Sequence, residues 1–180
     1  GGGGHAHSCI DVIESEGSFN IQGIVESRGV LHAQVLGYPV LGSDDDLERL
    51  LVATPSALVT VGQVKSAIVR VALYEKLVLL GAYLPVIVSP TSYVSKHSSI
   101  GDGSIIMHGT FVNALASIGS NCIINSHAVV EHETVIGDHC HISTGAKVNG
   151  RVQVGNGTFI GSGAILREGV SIGPNSVVGA

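Results

Sequence analysis

The sequence predicts a small Rossmann-like α/β unit over residues 1–86, followed by a parallel β-helix over residues 87–180. Three observations lead there. Aliphatic side chains recur every six residues through the second half, and a glycine-rich start with helix and strand signals occupies the first. The composition is also aliphatic, with 44% hydrophobic residues but only 4% aromatic ones, 25 Gly and no Trp. Such a chain has many tight turns and few large side chains to fill a bundle.

The repeat comes first. From Val88 to Val178, every sixth residue is Val, Ile or Leu, sixteen positions without a break. The residue four places after each is small except at Val152 and Val170. Steps of six scatter around an α-helix of about 3.6 residues per turn and leave no apolar stripe. On strands an even step keeps one face, so the aliphatic and the small residue both point inward. Gly commonly follows the aliphatic residue, as in Ile100-Gly101, Ile118-Gly119 and Ile136-Gly137, and marks a bend. Three short strands then close a coil of 18 residues, and the sixteen repeats stack as about five coils.

Earlier elements are less regular. A glycine loop at Gly1–Gly4 opens a helix, a strand ends near Glu26, a short helix lies near 44–52, a strand at 57–61 and a helix at about 63–81. Ser43 and Asp44 supply an N-cap, and the run Asp44–Asp46 suits the positive end of that helix. Gly1, Gly3 and Ala6 fit a loose G-x-G-x-x-A, with Glu26 at the spacing of a ribose-binding acid. No second mononucleotide half follows. A glycine loop at a helix start binds phosphate of any kind, so a nucleotide-linked ligand fits as well as a dinucleotide. Loops of this type normally follow a strand, so residues upstream of Gly1 are expected. The sequence also stops in mid-coil, so more is expected beyond Ala180.

The six-residue register sorts the polar cluster VVEHETVIGDHCHI, Val129 to Ile142. His132 and Glu133 fall on an outward corner. Cys122 and Cys140, 18 residues apart, occupy the inward small slot. Asp138, His139, Cys140 and His141 invite a zinc reading, but Cys140 points inward and both histidines outward, so they do not converge tetrahedrally. No metal is expected. His97, His108, His127 and His139 are expected as solvated corner residues.

Composition excludes some function classes. A net charge of −5 gives no basic patch for nucleic acid or an anionic membrane. Cys9, Cys122 and Cys140 form no C-x-x-C, which fits a reducing cytoplasm. No apolar run approaches the roughly 20 residues of a membrane span, and no signal peptide is visible.

Together the two halves carry a resemblance. A GxGGHA loop at Gly1–Ala6, joined to hexapeptide repeats containing VVEHE-x-VIG-x-x-x-H-x-S-x-G-A, resembles the bacterial sialic-acid O-acetyltransferase-like family. Its better-understood members are N-acetyltransferases of nucleotide-linked 4-amino-4,6-dideoxy sugars. The resemblance covers essentially the whole chain and implies a left-handed β-helix, acetyl-CoA as co-substrate and a homotrimer with acetyl-CoA between neighbours. It implies His132 as catalytic base and Glu133 as the acid that orients it. His141 would lie near the thioester, Gly150 would offer an N–H to its carbonyl, and Gly161 and Ser162 would follow the pantetheine. Gly2, Gly4 and His5 would hold the nucleotide end of the sugar donor, and Asn125 would meet the sugar. Where the family has paired aspartates this chain has Glu26-Ser27, which changes the nucleotide contacts. Outward Ile105 and Ile123 are available to a trimer contact.

The implied chemistry suits these residue types. Acetyl transfer from a thioester needs a base for the amine proton and donors for the developing oxyanion. Imidazole, with an ordinary pKa near 6.5, accepts that proton at neutral pH. Direct attack needs no covalent enzyme intermediate, and no cysteine is placed as a nucleophile. Three rivals stand beside this reading: an O-acetyltransferase of sialic acid or a related sugar, a non-catalytic nucleotide sensor on a β-helical trimer stalk, and a β-helical carbonic-anhydrase-like enzyme. The last needs three convergent zinc histidines that the register does not supply.

Overall fold

The computed structural model describes residues 1–29 and 33–180. The N-terminal part opens with α1 (Gly4–Glu16), which ends at Gly17 in the left-handed conformation, its N–H on Ile13 O. Strands β1 (Ile24–Glu26), β2 (Gln34–Val35) and β3 (Tyr38–Ser43) form one sheet in the order β1-β3-β2. β3 lies parallel to β1 and antiparallel to β2. Between β2 and β3 the two-residue turn Leu36-Gly37 has positive φ at both positions, the form that matches strand twist. A 3-10 turn at Asp44–Asp46 then leads into α2 (Leu47–Ala53). The Ser43 side chain accepts from the Asp45 N–H, and the Asp46 carboxylate accepts from the Ser43 N–H at 2.9 Å.

Two N-terminal expectations are corrected. Residues 57–61 are extended but join no ladder. Among the described residues their only strand-like link is the Ser56–Tyr83 bridge, with Ala57 N–H donating to Tyr83 O. An apolar cavity of about 480 Å³ lies beside this segment, lined by Ile10, Val25, Leu58, Val59, Val61 and Leu73. The helix expected over 63–81 is α3 (Ile68–Leu79), because Gln63 is drawn instead to the second half, its side-chain amide donating to Gly157 O. Ser66 Oγ accepts the Ile68 N–H at 3.2 Å and starts the helix.

The second half is a parallel β-helix of sixteen two-residue strands, β4 (Ile87–Val88) to β19 (Val177–Val178), one per repeat. They form three parallel sheets of six, five and five strands, which define a left-handed triangular coil. Every pairing joins residues 18 apart, as in Ile105 with Ile123 and Val130 with Val148. Backbone φ turns positive at every sixth residue from Gly103 to Asn175, so each corner uses one left-handed residue. Seven of these are not glycine: Leu115, Asn121, His127, Glu133, His139, Arg151 and Asn175. A left-handed L-residue costs about 1–2 kcal/mol, which the closed coil must offset.

Inward aliphatics stack as one core from Ile106 to Leu166. The small slot does more than save space. Ser104, Cys122, Cys140 and Thr158 stand one above another, and each donates to the carbonyl 15 residues on, at Gly119, Gly137, Gly155 and Gly173. The column satisfies corner carbonyls that the strand ladders leave open.

α1 and α3 fasten the two halves together. Cys9, Val12 and Ile13 of α1 pack on Ile87, Ile105 and Ile123 of the six-stranded sheet. Ile105 and Ile123 are thus covered within one chain rather than offered to a trimer neighbour. His108 and His139 are also corrected: neither is a merely solvated corner residue. Nδ1 of His108 lies 2.6 Å from Ser89 Oγ and its Nε2 2.8 Å from Asp11 Oδ2 on α1. His139 packs edge-on to Tyr74 of α3, ring centres 5.5 Å apart, and meets the Asn121 amide at 3.0 Å. His97 and His127 are exposed.

Candidate active site

Geometry sorts the candidate residues into three groups. The first lies where the glycine loop meets the β-helix. Gly3 and Gly4 are exposed, and no side chain lies within 4 Å of where their Cβ atoms would be. They begin a 13-residue helix whose first turn contains no acidic residue and whose first backbone bond runs from His7 N–H to Gly3 O. The free N–H groups of that turn and the positive end of the helix can receive an anion such as phosphate. Gly2 is held from behind: its N–H donates to Glu26 Oε1 at 2.6 Å, and a side chain at Gly2 would collide with that carboxylate and with Val35. Glu26 is buried, so its carboxylate braces the loop.

His5 and His141 face each other across this seam, ring centres 6.3 Å apart. His141, the first residue of β13 (His141–Ile142), projects outward from the coil as the register requires, yet α1 and the Gln63 segment bury it. Its Nδ1 is 2.7 Å from Gln63 O; a carbonyl only accepts, so Nδ1 carries the hydrogen. Nε2 faces the Asn125 amide nitrogen at 3.1 Å, and Asn125 Oδ1 accepts the Ser126 N–H at 2.8 Å, which fixes the amide orientation. Burial pushes the pKa of each imidazole down to about 4, with Arg70 adding to both and His141 to His5. Both rings are neutral at pH 7.

The second group stands on another corner. β11 (Val129–Val130) and β12 (Val135–Ile136) belong to the two five-stranded sheets, so the corner between them is opposite the six-stranded face that carries α1. His132 and Glu133 occupy it, each about half exposed. Nδ1 of His132 lies 3.2 Å from Glu133 Oε2; the carboxylate accepts, so in the neutral ring Nε2 carries the lone pair. Gly150, 18 residues on, lies beneath the ring: a Cβ there would fall 2.7 Å from His132 Cε1. Arg151 and Glu168 pair alongside. The third group is Gly161 and Ser162, in the same corner column as Asn125. Gly161 is glycine for coil stacking, since a Cβ would fall 2.6 Å from Gly179 C, and Ser162 Oγ is 2.9 Å from Ser143 Oγ. A single chain thus joins the loop, His5, His141 and Asn125, and joins His132, Glu133 and Gly150, but separates these two sets.

Sequence reasoning missed Arg70 and Gln63. Arg70 is 1% exposed. It donates from Nη1 to Gln63 Oε1 and from Nη2 to Asn121 O and Oδ1, at 3.1, 2.7 and 3.0 Å. The available signal was a lone cation in the apolar run IVRVAL, a position where a charge is either buried or placed against a partner. Burial drives the Cys9 thiol up to about 12. Among the described residues no three His, Cys, Asp or Glu side chains gather to hold a metal, and no helix is long and apolar enough to cross a membrane.

Comparison with known proteins agrees with this fold. Residues 1–77 match the PglD N-terminal domain, and residues 116–150 and 151–180 match the bacterial transferase hexapeptide (six repeats). No curated protein sequence gives a match. A His-to-Asn variant of perosamine N-acetyltransferase from Caulobacter crescentus, solved in complex with CoA and GDP-perosamine, is 34% identical. It superposes with a TM-score of 0.93 over 100% of this chain and 83% of that one. The acetyltransferase domain of PglB from Neisseria gonorrhoeae FA1090, in complex with acetyl coenzyme A, is 30% identical. Its TM-score is 0.90, over 100% of this chain and 85% of that one. By these similarities the chain belongs to the hexapeptide-repeat family of nucleotide-linked amino-sugar acetyltransferases, with a PglD-type N-terminal domain.

Proposed function

We propose that this protein transfers the acetyl group of acetyl-CoA to the 4-amino group of a nucleotide-linked 4-amino-4,6-dideoxy sugar, with His132 as general base. One observation carries the reading: the His132 Nδ1–H is held by Glu133 while Nε2 stays open above Gly150. The sugar amine attacks the thioester carbonyl carbon, its proton passes to Nε2, the C–S bond breaks and CoA leaves as a thiolate that takes up a proton. The Gly150 N–H, which has no acceptor among the described residues, is available to the carbonyl oxygen as charge develops there. The N–H groups at the start of α1 hold the diphosphate, with Asn125 toward the sugar. UDP and dTDP are the nucleotides that the family resemblance brings to this reading, and the GDP-perosamine complex of a relative adds GDP to the set to be tested.

Because His132 stands opposite the face that carries α1, the complete site takes the loop of one copy and the His132 corner of another. This supports a homotrimer with acetyl-CoA, Gly161 and Ser162 in the cleft between copies. The three free cysteines fit action in the cytoplasm.

The test is release of free CoA from acetyl-CoA with UDP-, dTDP- and GDP-linked 4-amino sugars, with sialic acid as comparison. Release with an amino sugar, lost in His132→Ala, is the expected result. Release with sialic acid alone would replace N- by O-acetylation, and release with none would leave the sensor. Mixing His132→Ala with Gly4→Asp chains, each inactive alone, restores turnover if the site is shared and does not if each chain works by itself.

A further inference from the structure

We propose that Arg70 is a positioning residue that, through Gln63, fixes the donor and acceptor polarity of the His141–Asn125 pair that faces the sugar. The proposal rests on the reading of Asn125 as the sugar-facing residue.

Arg70 is a buried cation without an anion. Among the described residues no carboxylate lies within ion-pair distance, and all its acceptors are the neutral oxygens of Gln63 and Asn121. Its Nε–H, also buried, has no partner among the described residues. Burying a guanidinium on such terms costs stability, since an apolar residue of similar volume would pack there without losing hydration. A structural brace would not need a charge. What the cation reaches explains its presence.

One arm holds Gln63 Oε1 at 3.1 Å, and the Gln63 amide nitrogen donates to Gly157 O at 3.0 Å, so the residue is gripped from both sides. Its backbone carbonyl is thereby aimed at His141 Nδ1, 2.7 Å away. The hydrogen must sit on Nδ1, and Nε2 must then accept from Asn125. Asn125, partly buried, gives one N–H to that lone pair and its Oδ1 accepts the Ser126 N–H, which leaves the second N–H of the amide without an acceptor among the described residues. The chain from Arg70 ends in one oriented donor, suited to a hydroxyl or ring oxygen of a sugar. Were His141 to carry its hydrogen on Nε2, the amide would have to turn its oxygen toward the ring to accept it, giving up the Ser126 N–H and leaving an oxygen lone pair, an acceptor, in place of the second N–H. The other arm, on Asn121, anchors Arg70 itself: Asn121 Nδ2 donates back to Arg70 O at 3.3 Å. His5 from α1 and Arg70 from α3 are the ionisable groups facing His141, and the positive charge of Arg70 opposes a second proton on either ring.

The experiment reads the tautomer of His141 directly, by ¹⁵N NMR of histidine-labelled protein, alongside steady-state constants. Wild type should show Nδ1–H. Arg70→Met should show both tautomers, and its KM for the nucleotide sugar should rise about tenfold or more with KM for acetyl-CoA within about twofold. Arg70→Lys, which keeps the cation, should recover most of both. If Arg70→Met does not fold, Gln63→Ala releases the same carbonyl while leaving Arg70 on Asn121, and should mix the tautomers likewise. A folded Arg70→Met or Gln63→Ala protein whose His141 stays wholly Nδ1–H overturns the proposal. So does mixed tautomer with an unchanged sugar KM. The NMR arm needs no substrate, so a failure of the acetyltransferase reading would be seen separately, as wild-type protein inactive with every amino sugar.

Discussion

The imidazole of His132 lies directly over Gly150, so close that a β-carbon at 150 would come within 2.7 Å of Cε1 and 2.8 Å of Nε2. Residue 150 therefore controls where the proposed base can sit. Gly150→Ala should leave the coil folded, since φ at 150 lies outside the left-handed region, but should push the ring aside. Misplacement on this scale costs on the order of 100-fold in kcat. His132→Ala should lose about 10²–10⁴-fold. Steady-state CoA release, with circular dichroism to confirm folding, checks both; full activity of Gly150→Ala would remove His132 as the base.

Glu133 sets activity against stability. It occupies a left-handed corner at φ +59° while its carboxylate holds His132 Nδ1. Glu133→Gly should stabilise the fold by about 1 kcal/mol, because glycine adopts that φ freely. The same change should lower kcat by about tenfold, as the ring loses its orienting acceptor. Urea melts and kinetics on one protein sample should move in opposite directions. Glu133→Gln keeps an acceptor and should fall between.

Acid should loosen the seam between the two halves. His141 and His5 have folded pKa values near 4, below the ordinary 6.5, so the unfolded chain binds more protons between those values. Stability is then fully present above about pH 6.5 and is lost as pH falls toward 4. His141 alone accounts for on the order of 3 kcal/mol over that range. Melting temperatures from pH 7.5 to 4.5 should show the decline, and His141→Phe should flatten it. An unchanged slope in that variant would count against a buried neutral His141.

The thiols should matter to folding but not to turnover. Cys140→Ala removes the donor to Gly155 O and should cost about 1 kcal/mol, while Cys140→Ser keeps a donor and should cost less. Alkylating agents should react slowly with the native protein, whose three cysteines are all buried, and the double variant Cys9→Ala, Cys122→Ser should turn over at the parent rate. A steep loss of kcat in a folded double variant would revive a covalent route.

Much of this was legible in the residues because a six-residue period is a strong constraint. It placed all sixteen strands, the inward Cys122 and Cys140, and the His132–Glu133 corner. The capping residue Ser43 was legible for the same local reason. Register could say that His108, His139, His141, Ile105 and Ile123 leave the coil, but not whether water or a helix meets them outside. That depends on where α1 and α3 dock, which no local pattern encodes. The strand expected at 57–61 is not formed, because a strand needs a hydrogen-bonded neighbour and, among the described residues, no strand pairs with this segment. The run IVRVAL marked Arg70 as unusual, but its partners were illegible, because Gln63 and Asn121 are neutral and Asn121 lies 51 residues away.

The triangular coil also fixes which insertions and deletions its function can survive. Each six residues advance the chain by one wall, and only 18 return it to the same wall. Removing six residues between Ile123 and His132 would keep every aliphatic side chain facing inward, so the fold would persist. The same deletion would carry His132 round the prism by a third of a turn, to an edge where neither Glu133 nor Gly150 could recreate the present relation to the loop. Length variation in this half is therefore quantised: whole turns alter height, partial turns alter direction, and only the former preserve the placement of the base.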